Sequence, residues 1–171
     1  KWVIPRAFLQ VFMLQGFLQF LIASPSLYIN SSNLEFHYLS LIGIVIWLIG
    51  FYFEVIGDKQ LKDHIKNPDL RGKLLQTGLW KYTRHPNYFG EATMWWGIFI
   101  FAAIIGVPLY YVVSPLTITL VLYFISTPIL EKKMSEREEW AEYAKKSPVC
   151  CNWLCREITI LSFLKNFADC T

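Results

Sequence analysis

The chain has 171 residues, of which 54% are hydrophobic and 17% aromatic. These fractions exceed those of ordinary soluble domains and indicate a membrane protein. The net charge of +3 is too small to indicate nucleic-acid binding, and the sequence contains no glycine-rich phosphate loop.

Residues 7–24 form the first predicted membrane span, because they carry no charge and are just long enough to cross the hydrocarbon core as a helix. Gln15 and Gln19 lie one turn apart and share a face. We expect that face to contact protein or a cavity, because an unpaired amide in lipid is costly. Hydrogen bonding between helices and a polar cavity wall are both open interpretations. Residues 24–37 follow as a predicted loop.

Residues 38–57 form the second predicted span, which is apolar except for Glu54. A carboxylate near the end of such a span is a candidate functional group. Asp58 follows four residues later and shares the same helical face if the helix continues. The alternative is that the two carboxylates pair with Lys59 or Lys62 at the membrane surface.

Residues 58–89 are predicted as a polar loop, which ends in the densest polar and aromatic cluster of the chain. Arg84 offers a planar set of donors suited to phosphate or carboxylate. His85 can hold or release a proton near neutral pH. Pro86 predicts a turn or a new helix start. The alternative is a juxtamembrane loop that faces lipid headgroups.

Residues 92–130 contain no charged residue. This run is too long for one span, so it predicts two, at 90–107 and 114–130. Pro108 and Pro115 mark the expected turn between them.

The tail at 131–171 is polar at first and predicts a short helix on the membrane surface. Its cysteines, Cys150, Cys151, Cys155 and Cys170, lack the paired Cys/His spacing of a zinc site, so we expect no metal.

Lys and Arg residues are absent from the segments 24–37 and 106–115. With four spans, this distribution predicts that both termini and the loop at 58–89 face the cytoplasm. The expected fold is therefore all-α: one membrane domain over residues 1–171, built as a four-span transmembrane bundle with a short C-terminal interfacial helix. We expect the chain to lie in a plasma, inner or endoplasmic reticulum membrane, with the cofactor site facing the cytoplasm.

The order of residues in the cluster resembles a family signature. Trp80, Arg84-His85-Pro86-Asn87-Tyr88 and Gly90-Glu91 are similar to the motif of membrane-bound steroid 5-alpha-reductase-like proteins, and sterol reductases carry a similar stretch. Isoprenylcysteine carboxyl methyltransferases and phospholipid methyltransferases carry a related Arg-His-Pro-x-Tyr. The resemblance covers about residues 15–153. Glu91 favours the reductases, because the methyltransferases usually have an apolar residue there. The chain departs from the family at 151–153, which reads Cys-Asn-Trp instead of an Ile-Pro-Trp-like sequence.

The resemblance implies an NADPH-dependent reductase of a carbon–carbon double bond conjugated to a carbonyl, in a steroid-like or other lipid substrate. Hydride would pass to the β-carbon while a donor polarises the carbonyl. Tyr88 and Glu91 are the catalytic candidates. The residues implied to face the cofactor are Glu54, Asp58, Lys62, Trp80, Arg84, His85, Asn87, Tyr88, Glu91 and Tyr143.

Two alternatives remain open from the sequence. One is a methyltransferase that uses S-adenosylmethionine on a lipid or a prenylated thiol, with Glu138-Glu139-Trp140 as a partial echo of its C-terminal motif. The other is an inactive membrane module that has lost its catalytic helices. The basic residues Lys62, Lys73, Lys81 and Arg84 favour NADPH, because S-adenosylmethionine carries a sulfonium cation and no phosphate.

Overall fold

A computed structural model describes residues 8–70 and 72–149, and these residues form helices and turns without any strand. The prediction of an all-α fold is confirmed. The α-helices are α1 (Leu14–Ser31), α2 (Leu41–Lys66), α3 (Pro86–Ile104), α4 (Val113–Val121), α5 (Thr127–Met134) and α6 (Trp140–Lys146). A π-helical turn, Phe8–Met13, leads into α1, and a second π-helical segment, Leu122–Ser126, joins α4 to α5.

The first helix runs further than its sequence predicts. It continues through Ser24-Pro25-Ser26, which were predicted to begin a loop, and ends at Ser31. Proline is tolerated inside membrane-type helices where a neighbouring hydroxyl or helix compensates for the lost hydrogen bond. Here Pro25 is buried, and the Ser24 hydroxyl donates to the Leu21 carbonyl at 2.7 Å. Gln15 and Gln19, expected to contact protein or a cavity, are both exposed, so the described residues do not cover this face.

The second helix also extends beyond its predicted end at residue 57, through the first polar turns to Lys66. The polar segment after residue 57 was therefore wrongly predicted to be a loop throughout. Opposite charges four residues apart stabilise such turns, and Asp58 and Lys62 form an ion pair of this kind at 3.6 Å. The helix start predicted at Pro86 is confirmed.

Two helical segments of the described chain, Tyr38–Lys66 and Leu109–Met134, are long and apolar enough to cross a membrane. They contain the predicted spans at 38–57 and 114–130. The helices α1 and α3, which overlap the predicted spans at 7–24 and 90–107, are not among the segments of the described chain that meet this criterion, and the first predicted span begins outside the described residues. Only 17% and 28% of the residues in the two apolar windows are buried, which differs from a helix in the core of a soluble protein.

The chain packs into two compact units. The first comprises residues up to 51 together with 91–128, and the second comprises 52–90 together with the segment that begins at 129. In the first unit, α1 packs against α4. The Ser114 hydroxyl donates to the Ile22 carbonyl, and the rings of Tyr28 and Tyr111 lie 5.3 Å apart.

Helices α2 and α3 cross at glycines in the first unit. A Cβ atom added to Gly43 would lie 2.5 Å from the backbone nitrogen of Phe101, and one added to Gly97 would lie 2.7 Å from that of Trp47. Backbones that approach this closely are typical of helix pairs in membranes, where small residues form the interface. These two glycines therefore set the distance between the helices.

Candidate functional site

The motif loop (residues 78–85) is held at its start by α2, in the second unit. Gly78 has a φ of +63°, in the left-handed region that favours glycine. The next N–H, that of Leu79, donates to the side-chain oxygen of Gln60 at 3.0 Å. The buried indole of Trp80 donates to the Gly57 carbonyl at 3.1 Å. The polar turns of α2 therefore fix the path of the loop.

The C-terminal segment (residues 143–149) holds the other side of the motif loop. Four hydrogen bonds join this segment to the loop, and each of them is accepted by a backbone carbonyl. The acceptors therefore do not depend on which side chains the accepting residues carry. The bonds run from the Tyr143 hydroxyl to Trp80, from the Ser147 hydroxyl to Lys81, from the Thr83 hydroxyl to Val149 and from the Arg84 N–H to Pro148, at 2.8–3.1 Å.

Arg84 and His85 converge on Glu131 to form a partly buried polar cluster. Nε2 of His85 and Nε of Arg84 lie 3.2 Å and 3.3 Å from the same oxygen, Oε1. The Arg84 contact is an ion pair and not an aligned hydrogen bond, because its Nε–H does not point at the oxygen. The guanidinium also lies 5.5 Å from the ring of Trp140, and the His85 ring stacks on Tyr88 at 5.2 Å.

Burial of His85 lowers its pKa below the usual value, and the positive charge of Arg84 acts in the same direction. Glu131 opposes this shift by accepting a hydrogen bond and by its negative charge. A carboxylate can only accept, so the neutral imidazole carries its proton on Nε2. The cluster therefore stabilises one orientation of the ring beside Tyr88.

Three more predicted residues line a cavity along α2. This α2 cavity has a volume of about 440 Å³, and Glu54, Asp58 and Lys62 are among its lining residues. Each is four residues from the next, so they share one face of the helix. Asn87 reaches the same face, because its Nδ2 donates to Oδ1 of Asp58 at 3.4 Å.

The side-chain oxygen of Asn87 is buried and accepts no hydrogen bond from the described residues. Exchanging the amide oxygen and nitrogen would not repair this, because it would place the oxygen against the Asp58 carboxylate. A buried acceptor without a donor is costly, by about 1–3 kcal/mol. A ligand with an N–H group would remove that cost.

A second cavity of the same unit has a volume of about 550 Å³. Trp80 and Tyr143, both predicted to face the cofactor, line it. We refer to it as the apolar cavity, because most of its lining side chains are Leu, Ile, Pro or Met. Burial raises the pKa of Tyr143 to about 12, so its hydroxyl stays protonated at physiological pH.

A family model described as "Protein of unknown function (DUF1295)" matches residues 1–147. The chain belongs to the DUF1295 family. This family is associated with steroid 5-alpha-reductase-like membrane proteins, which confirms the resemblance at the level of the family. No curated protein and no solved structure matches the chain.

The structure distributes the predicted site residues of this DUF1295 chain among three neighbourhoods of the second unit. They are the α2 cavity with Asn87, the Arg84–His85–Tyr88 cluster, and the wall of the apolar cavity formed by Trp80 and Tyr143. Glu91 belongs to the first unit. It is the sixth residue of α3.

Glu131 was missed by the sequence reasoning, although it accepts from His85 and pairs with Arg84. A signal was present, because Glu131 is the first charged residue after the uncharged run at 92–130. Gln60 was missed as well and does not stand out in the sequence, and Trp140 was noted only as part of the methyltransferase-like Glu138-Glu139-Trp140. The expectations for the four cysteines and for residues 151–153 lie outside the described residues.

Proposed function

We propose that this DUF1295 chain belongs to an integral membrane, NADPH-dependent reductase of a conjugated carbon–carbon double bond in a steroid-like or other lipid substrate. The observation that carries the proposal is the Asn87 oxygen, which is buried and has no donor among the described residues, on a side chain whose nitrogen bonds Asp58 in the lining of the α2 cavity. The nicotinamide carboxamide offers the N–H group that this oxygen lacks. Membership in a family associated with steroid 5-alpha-reductase-like proteins supports the same reading.

The residues of the α2 cavity fit the remaining groups of that cofactor. Lys59, Lys62 and Lys66 would supply positive charge for phosphates, and Glu54 and Asp58 would supply acceptors for ribose hydroxyls; Asp63 also lines the cavity, so its three lysines face three carboxylates. NADPH, when bound, would supply the hydride that reduces the double bond. Tyr88 and Glu91 are the proposed sources of the hydrogen bond that polarises the substrate carbonyl and of the proton that completes the reduction.

We also propose that the chain spans the membrane four times, with α1 and α3 joining the two apolar segments in the bilayer. The exposed apolar surface of α2 and of the 109–134 segment supports membrane insertion, because water would disfavour so much uncovered apolar area. The Lys and Arg distribution supports a cytoplasmic position for the motif loop, within reach of a soluble cofactor.

The test is a titration of the purified, detergent-solubilised chain with NADPH and, separately, with S-adenosylmethionine. We expect NADPH to bind. Asn87→Ala should lower the affinity for NADPH about fivefold to tenfold, which corresponds to one hydrogen bond, and this loss should not depend on the salt concentration. Lys62→Gln should weaken it most at low salt, because a charge is removed. Asn33→Ala, at an exposed asparagine outside the second unit, is the matched control and should leave the affinity unchanged.

Tight binding of S-adenosylmethionine without a response to NADPH would instead identify a methyltransferase. Binding of neither cofactor would refute the reductase proposal for this chain and favour the inactive module.

A further inference from the structure

The apolar cavity is a separate feature of the second unit, with a volume of about 550 Å³. It lies among the C-terminal turns of α2, the segment at 68–75 and the residues around α5 and α6. Its size falls within the range of small-molecule sites in proteins. Of the proposed cofactor ligands, Glu54, Asp58, Lys62 and Asn87 do not line it, whereas Lys66 lines both cavities.

The charged side chains that line this cavity are all basic. Apart from Tyr143, the ionisable side chains that line it are the bases His64, Lys66, Lys73 and Arg137, and none of the described lining residues is acidic. In the described part of the chain, the two lysines and Arg137 form no ion pair with a carboxylate. By contrast, Lys62, Arg84 and Lys146 each have an acidic partner there. The unpaired cations favour a negatively charged occupant.

Two of the bases are fixed in place. Nε2 of His64 and Nη1 of Arg137 both contact the Lys73 carbonyl, at 3.0 Å and 2.9 Å. A guanidinium has five N–H groups, so one such bond leaves Arg137 with donors for an anion. The planar fork of arginine is suited to phosphate and carboxylate groups.

The remaining wall of the cavity is apolar. Leu61, Leu74, Leu130 and Met134 lie in it, and Leu74 is buried. A free inorganic anion would gain nothing from these side chains, whereas an acyl chain would bury its CH₂ groups against them at about 0.8 kcal/mol each. The apolar wall and the basic lining together select a ligand that has both a chain and a charged head.

We propose that the apolar cavity binds an anionic lipid, with the phosphate or carboxylate head at Lys73 and Arg137 and the proximal acyl chain against Leu74, Leu130 and Met134. The position of the cavity suits this ligand, because the apolar segment Tyr38–Lys66, which contains α2, ends at Lys66, and Lys66 also lines the cavity. A lipid of the adjacent leaflet would reach the site from the membrane surface. The proposal does not depend on the proposed cofactor.

Native mass spectrometry of the full chain in neutral detergent tests this proposal, with dioleoyl phosphatidic acid and dioleoyl phosphatidylcholine as probes. We expect the anionic lipid to bind about tenfold more tightly than the zwitterionic one. Lys73→Gln should reduce that preference about fivefold to tenfold, and its side chain makes no hydrogen bond within the described residues. Lys133→Gln removes the same charge from an exposed position outside the cavity and should preserve the preference.

Three further probes separate the components of the proposal. Met134→Trp, which fills the cavity without altering charge, should weaken binding of phosphatidic acid. Inorganic phosphate at equal concentration should not displace the lipid, because it lacks a chain. NADPH should not displace it either, because Lys73 and Arg137 do not line the α2 cavity, although Lys66 lines both cavities. Equal affinity for both lipids, an equal loss in Lys133→Gln, or displacement by phosphate or NADPH would each overturn the proposal.

Discussion

Removal of Glu131 should destabilise the second unit more than any exposed charge change. Its carboxylate is the shared partner of Arg84 and His85, whose side chains are only 14% and 3% exposed. Deleting one member of a fully buried ion pair costs about 3–5 kcal/mol, because the other charge stays buried without compensation. Glu131 itself is 22% exposed, so solvent screens part of the interaction. We therefore expect Glu131→Ala to lower the free energy of unfolding by about 2–4 kcal/mol.

The amide variant Glu131→Gln should cost less, about 1–2 kcal/mol, because its oxygen still accepts from His85 while the charge opposite Arg84 is lost. In a chain of this size, 1 kcal/mol corresponds to about 2–4 °C in the melting temperature. The assay is thermal unfolding in a neutral detergent, followed by intrinsic tryptophan fluorescence. Glu142→Gln is the matched control, because Glu142 pairs with Lys146 only at an exposed position. It should leave the melting temperature unchanged.

The pH dependence provides a second readout of the same cluster. Burial lowers the pKa of His85 from its ordinary value of 6.5, so the unfolded chain takes up a proton before the folded chain does. The contribution of neutral His85 to the free energy of unfolding is fully present above pH 6.5, and it is lost as the pH falls toward the lowered pKa of the folded state. Glu131→Gln removes a group that raises this pKa, so the loss should extend to lower pH. A melting temperature of Glu131→Ala equal to that of Glu142→Gln, or an identical acid profile, would refute the reasoning.

Three other outcomes are expected. Tyr143→Phe should destabilise the chain by about 1–2 kcal/mol in thermal unfolding, because a buried carbonyl of the motif loop loses its donor. It should also reduce the loss of stability above pH 10, because the pKa of Tyr143 is raised to about 12 and ionisation favours the unfolded state. Gly43→Ala should lower the melting temperature, since its Cβ would lie 2.5 Å from the α3 backbone, whereas Gly16→Ala has open space and should not; equal melting temperatures would contradict the crossing. The topology can be tested in intact cells with a variant of the chain that lacks its own cysteines. A cysteine placed at Ser31 should react with a membrane-impermeant thiol reagent and one placed at Lys66 should not, and the reverse pattern would contradict the topology.

The helical class of the fold could be predicted because composition and uncharged runs determine it. The helix ends could not, because they depend on tertiary contacts. Pro25 indicates a loop by its own preference, yet it lies inside α1 where its ring is buried. Asp58 likewise begins a polar stretch that remains helical to Lys66. Both cases show packing and local ion pairs overriding a residue's intrinsic tendency.

The helical face shared by Glu54 and Asp58 could be predicted from the sequence, but the grouping of the candidate site residues could not. The motif order indicated Arg84, His85 and Asn87, and the spacing Glu54-x3-Asp58 indicated a shared helical face, which the structure contains. The assignment of each residue to a neighbourhood required long-range contacts. No local pattern shows that Glu131 meets His85 across 46 positions, or that Tyr143 meets the Trp80 carbonyl across 63.

This grouping changes which variant tests the cofactor. If Arg84 made a charged hydrogen bond to a cofactor phosphate, Arg84→Ala would weaken NADPH binding by about 1.5–3 kcal/mol. In the structure, the Arg84 guanidinium pairs with Glu131 and lies beside Trp140. Loss of binding in Arg84→Ala would therefore follow from a disturbed motif loop as readily as from a lost phosphate contact.

Asn87 avoids this ambiguity. Its amide nitrogen bonds Asp58 at the long distance of 3.4 Å, and its oxygen has no partner among the described residues. Asn87→Ala consequently removes an unsatisfied acceptor and only a weak bond, so the apo chain should melt close to the unaltered temperature. A fivefold to tenfold loss of NADPH affinity without a change in melting temperature would assign the Asn87 oxygen to the ligand. A parallel loss of both would assign Asn87 to the fold and remove the observation on which the reductase proposal depends.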